Sequence, residues 1–114
     1  MALQTAAIKN ALASAYAAQA LYGALYTTVP GATAGTEVTG GTPAYARKSL
    51  AWGAPANGVI TASAVFDVPT GTTLVGSGCH SALTAGTYLD GGTLTSQAFA
   101  SQGTYTETFS FTAS

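Results

Sequence analysis

Charge is the scarcest property of this sequence. Of 114 residues, three are Lys or Arg and four are Asp or Glu, a charged fraction of 6% where soluble domains commonly carry about 25%. With a net charge of −1, the chain has neither the basic footprint of a nucleic-acid binder nor a polybasic membrane anchor. Intrinsic disorder is disfavoured as well, because disordered chains combine high charge with low hydrophobicity, and this one is 47% hydrophobic. Cysteine occurs once, at Cys79, so no internal disulfide framework exists. The opening Met1-Ala2-Leu3-Gln4-Thr5 has no basic region ahead of an apolar core, and ordinary secretion is not expected. The most apolar stretch, Ala11 to Leu25, is diluted by Ser14, Gln19 and Gly23 and is too short and too weakly hydrophobic to span a bilayer.

Hydroxyls and glycines take the place of charge: 19 Thr, 9 Ser and 14 Gly. The length suits one folding unit. Its composition changes near residue 21, dividing it into an N-terminal helix within 1–20 and a β-sandwich over 21–114. From Thr5 to Ala20 the chain is dominated by Ala, without Gly or Pro, which is strong helix material. Thr5 suits the N-cap, since its hydroxyl can accept from a free backbone N–H. Ile8, Leu12 and Tyr16 recur every four residues as a narrow apolar stripe beside Ala15. Such a helix either docks on its own domain or packs against a neighbouring subunit.

Beyond Gly23, short runs rich in Thr, Val and aromatics alternate with Gly and Pro, the pattern of an all-β sandwich or barrel. Strands are expected near 22–28, 45–52, 58–66, 74–82, 86–90 and 104–112. In the last, Tyr105, Phe109 and Phe111 alternate with Thr106, Thr108, Ser110 and Thr112, giving one apolar and one hydroxylated face. Glu107 interrupts the apolar face, so one end or edge of this strand should meet water. Val68-Pro69-Thr70-Gly71 reads as a turn and Asp90-Gly91-Gly92 as a hairpin. The expected fold is mainly β: an antiparallel, jelly-roll-like sandwich of six to eight strands with one N-terminal α-helix. Pro30 to Pro43 is the longest irregular segment, with four Gly and Glu37 as its only charge. Loops of this length are usually functional or ordered by a partner.

Catalytic chemistry has little to work with. His80 and Cys79 are the sole residues of their kinds, and neighbours on a strand point to opposite faces, so they make a poor nucleophile–base pair. Cys79 is expected inside the fold and His80 outside. Zinc needs three or four N or S ligands, and the carboxylates Glu37, Asp67, Asp90 and Glu107 are scattered along the chain. No enzyme activity, cofactor or metal is expected. Gly76 and Gly78 lie inside an expected strand, where glycine marks a bulge or a close approach. Arg47-Lys48 reads as a solvated edge or an ion-pair donor to Glu37. Tyr45 and Trp52 are candidates for the aromatic platform of a sugar-binding module, although a spacing of seven places them on opposite faces of a strand. A soluble monomer ordinarily protects its surface and strand edges with charge. Low charge with a mean hydropathy of +0.31 therefore favours a structural subunit covered by copies of itself or by other proteins.

The run GTEVTGGTPAYARKSLAWGAP (Gly35 to Pro55) resembles a pattern in small virion proteins of tailed bacteriophages, especially actinobacteriophages, described as tail fibre or minor tail proteins. The resemblance continues through FDVPTGTTLVGSGCHSALTAGTYLDGGTL (Phe66 to Leu94) and QGTYTETFSF (Gln102 to Phe111). It implies a β-rich, non-catalytic component of the virion, assembled in the host cytoplasm and contacting other tail or capsid proteins. A capsid decoration protein and a carbohydrate- or receptor-binding module are the alternatives. Self-association is expected, as a homotrimer, with Glu37, Tyr45, Arg47 and Trp52 near the contact.

Overall fold

The helix begins where the sequence places it. In the computed structural model, which describes residues 2–114, Thr5 is extended (φ −115°, ψ 148°) and its hydroxyl accepts from the Ile8 backbone N–H at 3.3 Å. Helix α1 then runs Ala6–Gln19 and closes as the Ala20 N–H donates to the Tyr16 carbonyl at 2.9 Å. Its docked side differs from the expected stripe. Ala13 and Ala20 are buried with Tyr16 and Ala17 half-buried between them, while Ile8 and Leu12 remain 44% and 43% exposed. Small side chains let the helix backbone come close to the sheet, and Tyr16 supplies an aromatic contact. Its ring stacks on Phe111 (4.0 Å between centroids, 10° between planes) and meets Trp52 edge-on. Near the other end, Asn10 Oδ1 accepts from the Gly58 N–H at 2.8 Å.

Six strands follow: β1 (Tyr22–Tyr26), β2 (Lys48–Ser49), β3 (Val59–Val68), β4 (Thr72–His80), β5 (Tyr88–Phe99) and β6 (Gly103–Thr112). They form two antiparallel sheets, one ordered β2-β1-β4-β5 and the other β3-β6. The fold is mainly β and sandwich-like, with helix α1 at its N-terminal end, and it measures 47 × 23 × 22 Å along its principal axes. On β3 the alternation is complete: Ile60, Ala62, Ala64, Phe66 and Val68 are buried and Val59, Thr61, Ser63 and Val65 exposed. The expected alternation on β6 holds as well, with Tyr105, Phe109 and Phe111 more buried than the hydroxyl residues between them. Leu25, Leu50, Phe66, Leu74, Cys79 and Phe109 fill the space between the sheets. Phe109 packs edge-on to Phe66 and reaches Gly23, where an added Cβ would lie 2.7 Å from its ring.

Two local expectations are corrected. Asp90-Gly91-Gly92 is not a turn but part of β5, opposite Cys79, Gly78 and Ser77. The reversal lies earlier, in residues 81–87, closed by the Ser81 N–H to the Thr87 carbonyl at 3.0 Å and by Ala85 and Gly86 at positive φ. Gly91 is required for space rather than for φ: a Cβ there would sit 2.5 Å from the Tyr88 hydroxyl and 2.9 Å from Pro30. The expected strand 45–52 contracts to Lys48–Ser49, because the side chains of Tyr45 and Arg47 tie their segment to neighbouring loops instead of a ladder. The Val68–Gly71 turn is present, with Gly71 at φ +77°, and it carries the chain from one sheet to the other.

β4 lies between β1 and β5, and its residues 76–80 are buried on both faces. Its outer face lies under the 27–37 loop, where Pro30 occupies the space above Gly76 and Gly91 and the Tyr88 hydroxyl donates to the Gly31 carbonyl at 2.8 Å. Gly76 and Gly78 both mark close approaches, the first to Pro30 and the second to the Tyr26 ring, and the β4–β5 register shifts between Leu74 and Gly76.

Candidate functional site

Three of the four residues expected near a contact converge. Glu37 accepts from the Tyr45 hydroxyl at 2.7 Å and from Arg47 Nη2 at 2.9 Å and Nε at 3.0 and 3.2 Å. Arg47 Nη1 donates onward to the carbonyls of Ala82 and Ala85 at 3.0 and 2.9 Å. The Tyr45 oxygen also accepts from the Leu25 N–H at 3.0 Å. One guanidinium therefore joins the 30–43 loop, the 44–47 segment and the β4–β5 loop. Burial alone would raise the Glu37 carboxyl, yet donors from Arg47 and Tyr45 hold it below the ordinary carboxylate value. The same carboxylate raises Arg47, and burial raises the Tyr45 phenol. These groups border a shallow cavity of about 430 Å³, whose rim includes Leu83, an apolar side chain 50% exposed.

Trp52 lies elsewhere. Its indole N–H donates to the Ala20 carbonyl at 2.7 Å, and its ring joins Tyr16 along a second cleft of about 240 Å³. Ser77, Cys79, Asp90, Glu107 and Phe109 are among the other residues that line this cleft. The Tyr16 hydroxyl donates to Asp90 Oδ2 at 3.2 Å and lies 3.7 Å from Cys79 Sγ, and the Ser77 hydroxyl donates to Glu107 Oε2 at 2.7 Å. Burial pushes up both the Tyr16 phenol and the Cys79 thiol. In the sequence, the one signal of this site is Glu107, a charge on an otherwise apolar face. Asp90 carries none, because its position depends on the long-range β4–β5 register.

His80 corrects a further expectation. It does turn to the face opposite Cys79, as adjacent strand residues must, but that face is covered and His80 is only 5% exposed. Its Nε2 shares a hydrogen bond with the Tyr26 hydroxyl, and its ring lies edge-on to Tyr88. Burial, with Arg47 nearby, lowers its pKa. Cys79 and His80 thus have separate partners on opposite faces of one sheet. Among the described residues no group of three or more His, Cys, Asp or Glu is placed to hold a metal ion, and no helix is long and apolar enough to cross a membrane.

A family model described as podophage GP4 fiber I protein gp80 matches residues 2–113. No curated protein and no solved structure matches the chain. The chain belongs to this fibre family: it is a structural protein of the phage virion, of tail-fibre or minor tail type and not an enzyme, and it acts among other virion components.

Proposed function

We propose that this virion protein works as a self-associating fibre subunit, a homotrimer assembled in the host cytoplasm, in which the helix of 1–20 and the sandwich of 21–114 act as one unit. The observation that carries the reading is the exposure of apolar side chains on a chain with seven charges. Ile8, Leu12, Leu21, Val29, Val65 and Leu83 are each more than two-fifths exposed, and burial in an assembly would remove that surface from water. Glu37, Tyr45 and Arg47 contribute by fixing the loop that presents Leu83, and Trp52 by fixing the helix that presents Ile8 and Leu12. All four are thereby contact-shaping residues, even though they do not form one patch.

Sedimentation equilibrium of the purified protein tests the assembly. The expected mass is three times the monomer's 11.2 kDa; a monomer at high concentration that also fails to bind particles lacking it overturns the reading. Labelling the protein in an intact particle and imaging it tests its position, with label expected on the tail. Label distributed over the head would assign it to shell decoration instead.

A further inference from the structure

The four carboxylates divide into two kinds. Glu37 is paired with Arg47, and Asp67 lies 3.8 Å from Lys48. Asp90 and Glu107 pair with no cation among the described residues, and both line the Tyr16–Trp52 cleft, which contains no Lys or Arg. Asp90 stands opposite Cys79, and Glu107 is held by Ser77. Cys79 and Ser77 are alternate residues on the inward face of β4, roughly 7 Å apart. The carboxylates therefore flank one short stretch of strand, a concentrated negative site on a surface that is otherwise almost uncharged.

The shape of the cleft suits a polypeptide. Besides β4 it is lined by β5 and β6, each the terminal strand of its sheet, so both of these borders carry backbone N–H and C=O groups without a strand partner. Neither border carries the Lys or Pro that commonly blunts such edges. Gly92, opposite Ser77, leaves the β5 border bare: nothing lies within 4 Å of the place a Cβ would take.

We propose that this cleft receives a lysine or arginine side chain, presented on an extended segment of a neighbouring virion protein, between Asp90 and Glu107. The aromatic rings of Tyr16 and Trp52 border the path of its aliphatic stem, and the two carboxylates accept from its charged end. This inference rests on membership of the virion and not on the proposed homotrimer, which uses other surfaces.

Trp52 is the only tryptophan, so its emission reports on the cleft directly. The probe is the peptide acetyl-Thr-Val-Lys-Val-Thr-amide, with a twin in which the lysine is Nε-acetylated. The lysine peptide is expected to shift the emission saturably and to weaken in about 0.5 M salt. The twin should bind at least about tenfold more weakly, and Asp90→Asn and Glu107→Gln should each weaken the lysine peptide by about tenfold. Gly92→Leu, which fills the cleft and keeps both charges, should abolish binding while the circular dichroism spectrum stays unchanged. Equal binding of the twin, no saturable shift, or unchanged binding by Gly92→Leu overturns the proposal. So does tighter binding of glucosamine than of the peptide, which would assign the cleft to an amino sugar. An emission change with protein concentration alone, removed by Lys9→Gln, would place a second copy there and equally overturn it. The oligomer mass is measured separately, so failure here and failure of the trimer are distinguishable.

Discussion

Glu37 and Arg47 meet through the carboxylate and two guanidinium nitrogens, and the third nitrogen binds the carbonyls of Ala82 and Ala85. The ion pair therefore also sets the position of the β4–β5 loop. Arg47→Ala leaves the carboxylate without its principal donors in a partly enclosed place, at a cost of about 2 kcal/mol. Arg47→Lys recovers only part of this, since an ammonium cannot reproduce the planar fork. Urea denaturation of the three proteins at neutral pH measures both differences.

The pH dependence of this pair has a definite sign. The Glu37 carboxyl is lower in the folded protein than in the unfolded chain, so its stabilisation is present above the unfolded value and disappears as pH falls through the folded one. The stability difference between the native protein and Glu37→Gln should shrink below about pH 4. A difference that stays constant down to about pH 2 would show that the carboxylate contributes no charge-dependent stability.

His80 titrates in the opposite structural sense but with the same direction in pH. Its folded pKa is lowered by burial and by Arg47, with Glu37 opposing, so the unfolded chain binds the proton more readily. Stability should fall as pH drops through the ordinary imidazole range, about 6.5, and His80→Gln should flatten that dependence. His80→Ala also leaves the Tyr26 hydroxyl without its partner and opens space beside Tyr88, so a loss of about 2–4 kcal/mol is expected at neutral pH. Thermal melts of both variants between about pH 5 and 8 check this; an unchanged melting temperature for His80→Ala would contradict the burial.

Phe109 and Cys79 face the same core with unequal consequences. Phe109→Ala removes the ring that packs on Phe66 and over Gly23, at a cost of roughly 3–5 kcal/mol. Cys79→Ala removes one sulfur, and about 1 kcal/mol is expected. A domain has only about 5–15 kcal/mol in total, so the first variant should express poorly and the second normally. Comparable expression and melting temperatures would mean that the inner face of β6 is not core.

What could be read from the sequence follows from the range of each interaction. The cap at Thr5, the alternation on β6 and the Val68–Gly71 turn depend on neighbours a few residues apart, and all three are found. The helix stripe misled because Ile8 and Leu12 are the larger apolar residues, whereas close docking selected Ala13 and Ala20. Asp90-Gly91-Gly92 has turn composition, but the demand on Gly91 comes from Pro30 and Tyr88, one of them sixty-one positions away in the chain. His80 is covered by Tyr26 and Tyr88, which strand pairing brings to it from distant parts of the chain and no local pattern encodes. The Glu37–Arg47 pair was legible as a possibility because so few charges compete for partners; the cleft between Asp90 and Glu107 was not, since it exists only through strand register.

Exchanging Ile8 and Leu12 for Ser separates folding from assembly. Ile8 and Leu12 lie on the helix face left open to solvent, with 44% and 43% of their surface exposed. Replacing both by Ser exchanges apolar for polar atoms where water already reaches, and surface changes of this kind usually alter stability by less than about 0.5 kcal/mol apiece. The helix should persist, because its docking depends on Ala13, Tyr16 and Ala20 and its start on Thr5. Association should weaken, because the substituted surface would otherwise be removed from water between subunits. The expected result for Ile8→Ser/Leu12→Ser is therefore a native melting temperature with a sedimentation equilibrium shifted toward monomer. A variant that melts much earlier would show that these side chains stabilise the single chain, and one that melts and associates like the parent would remove the helix from the contact.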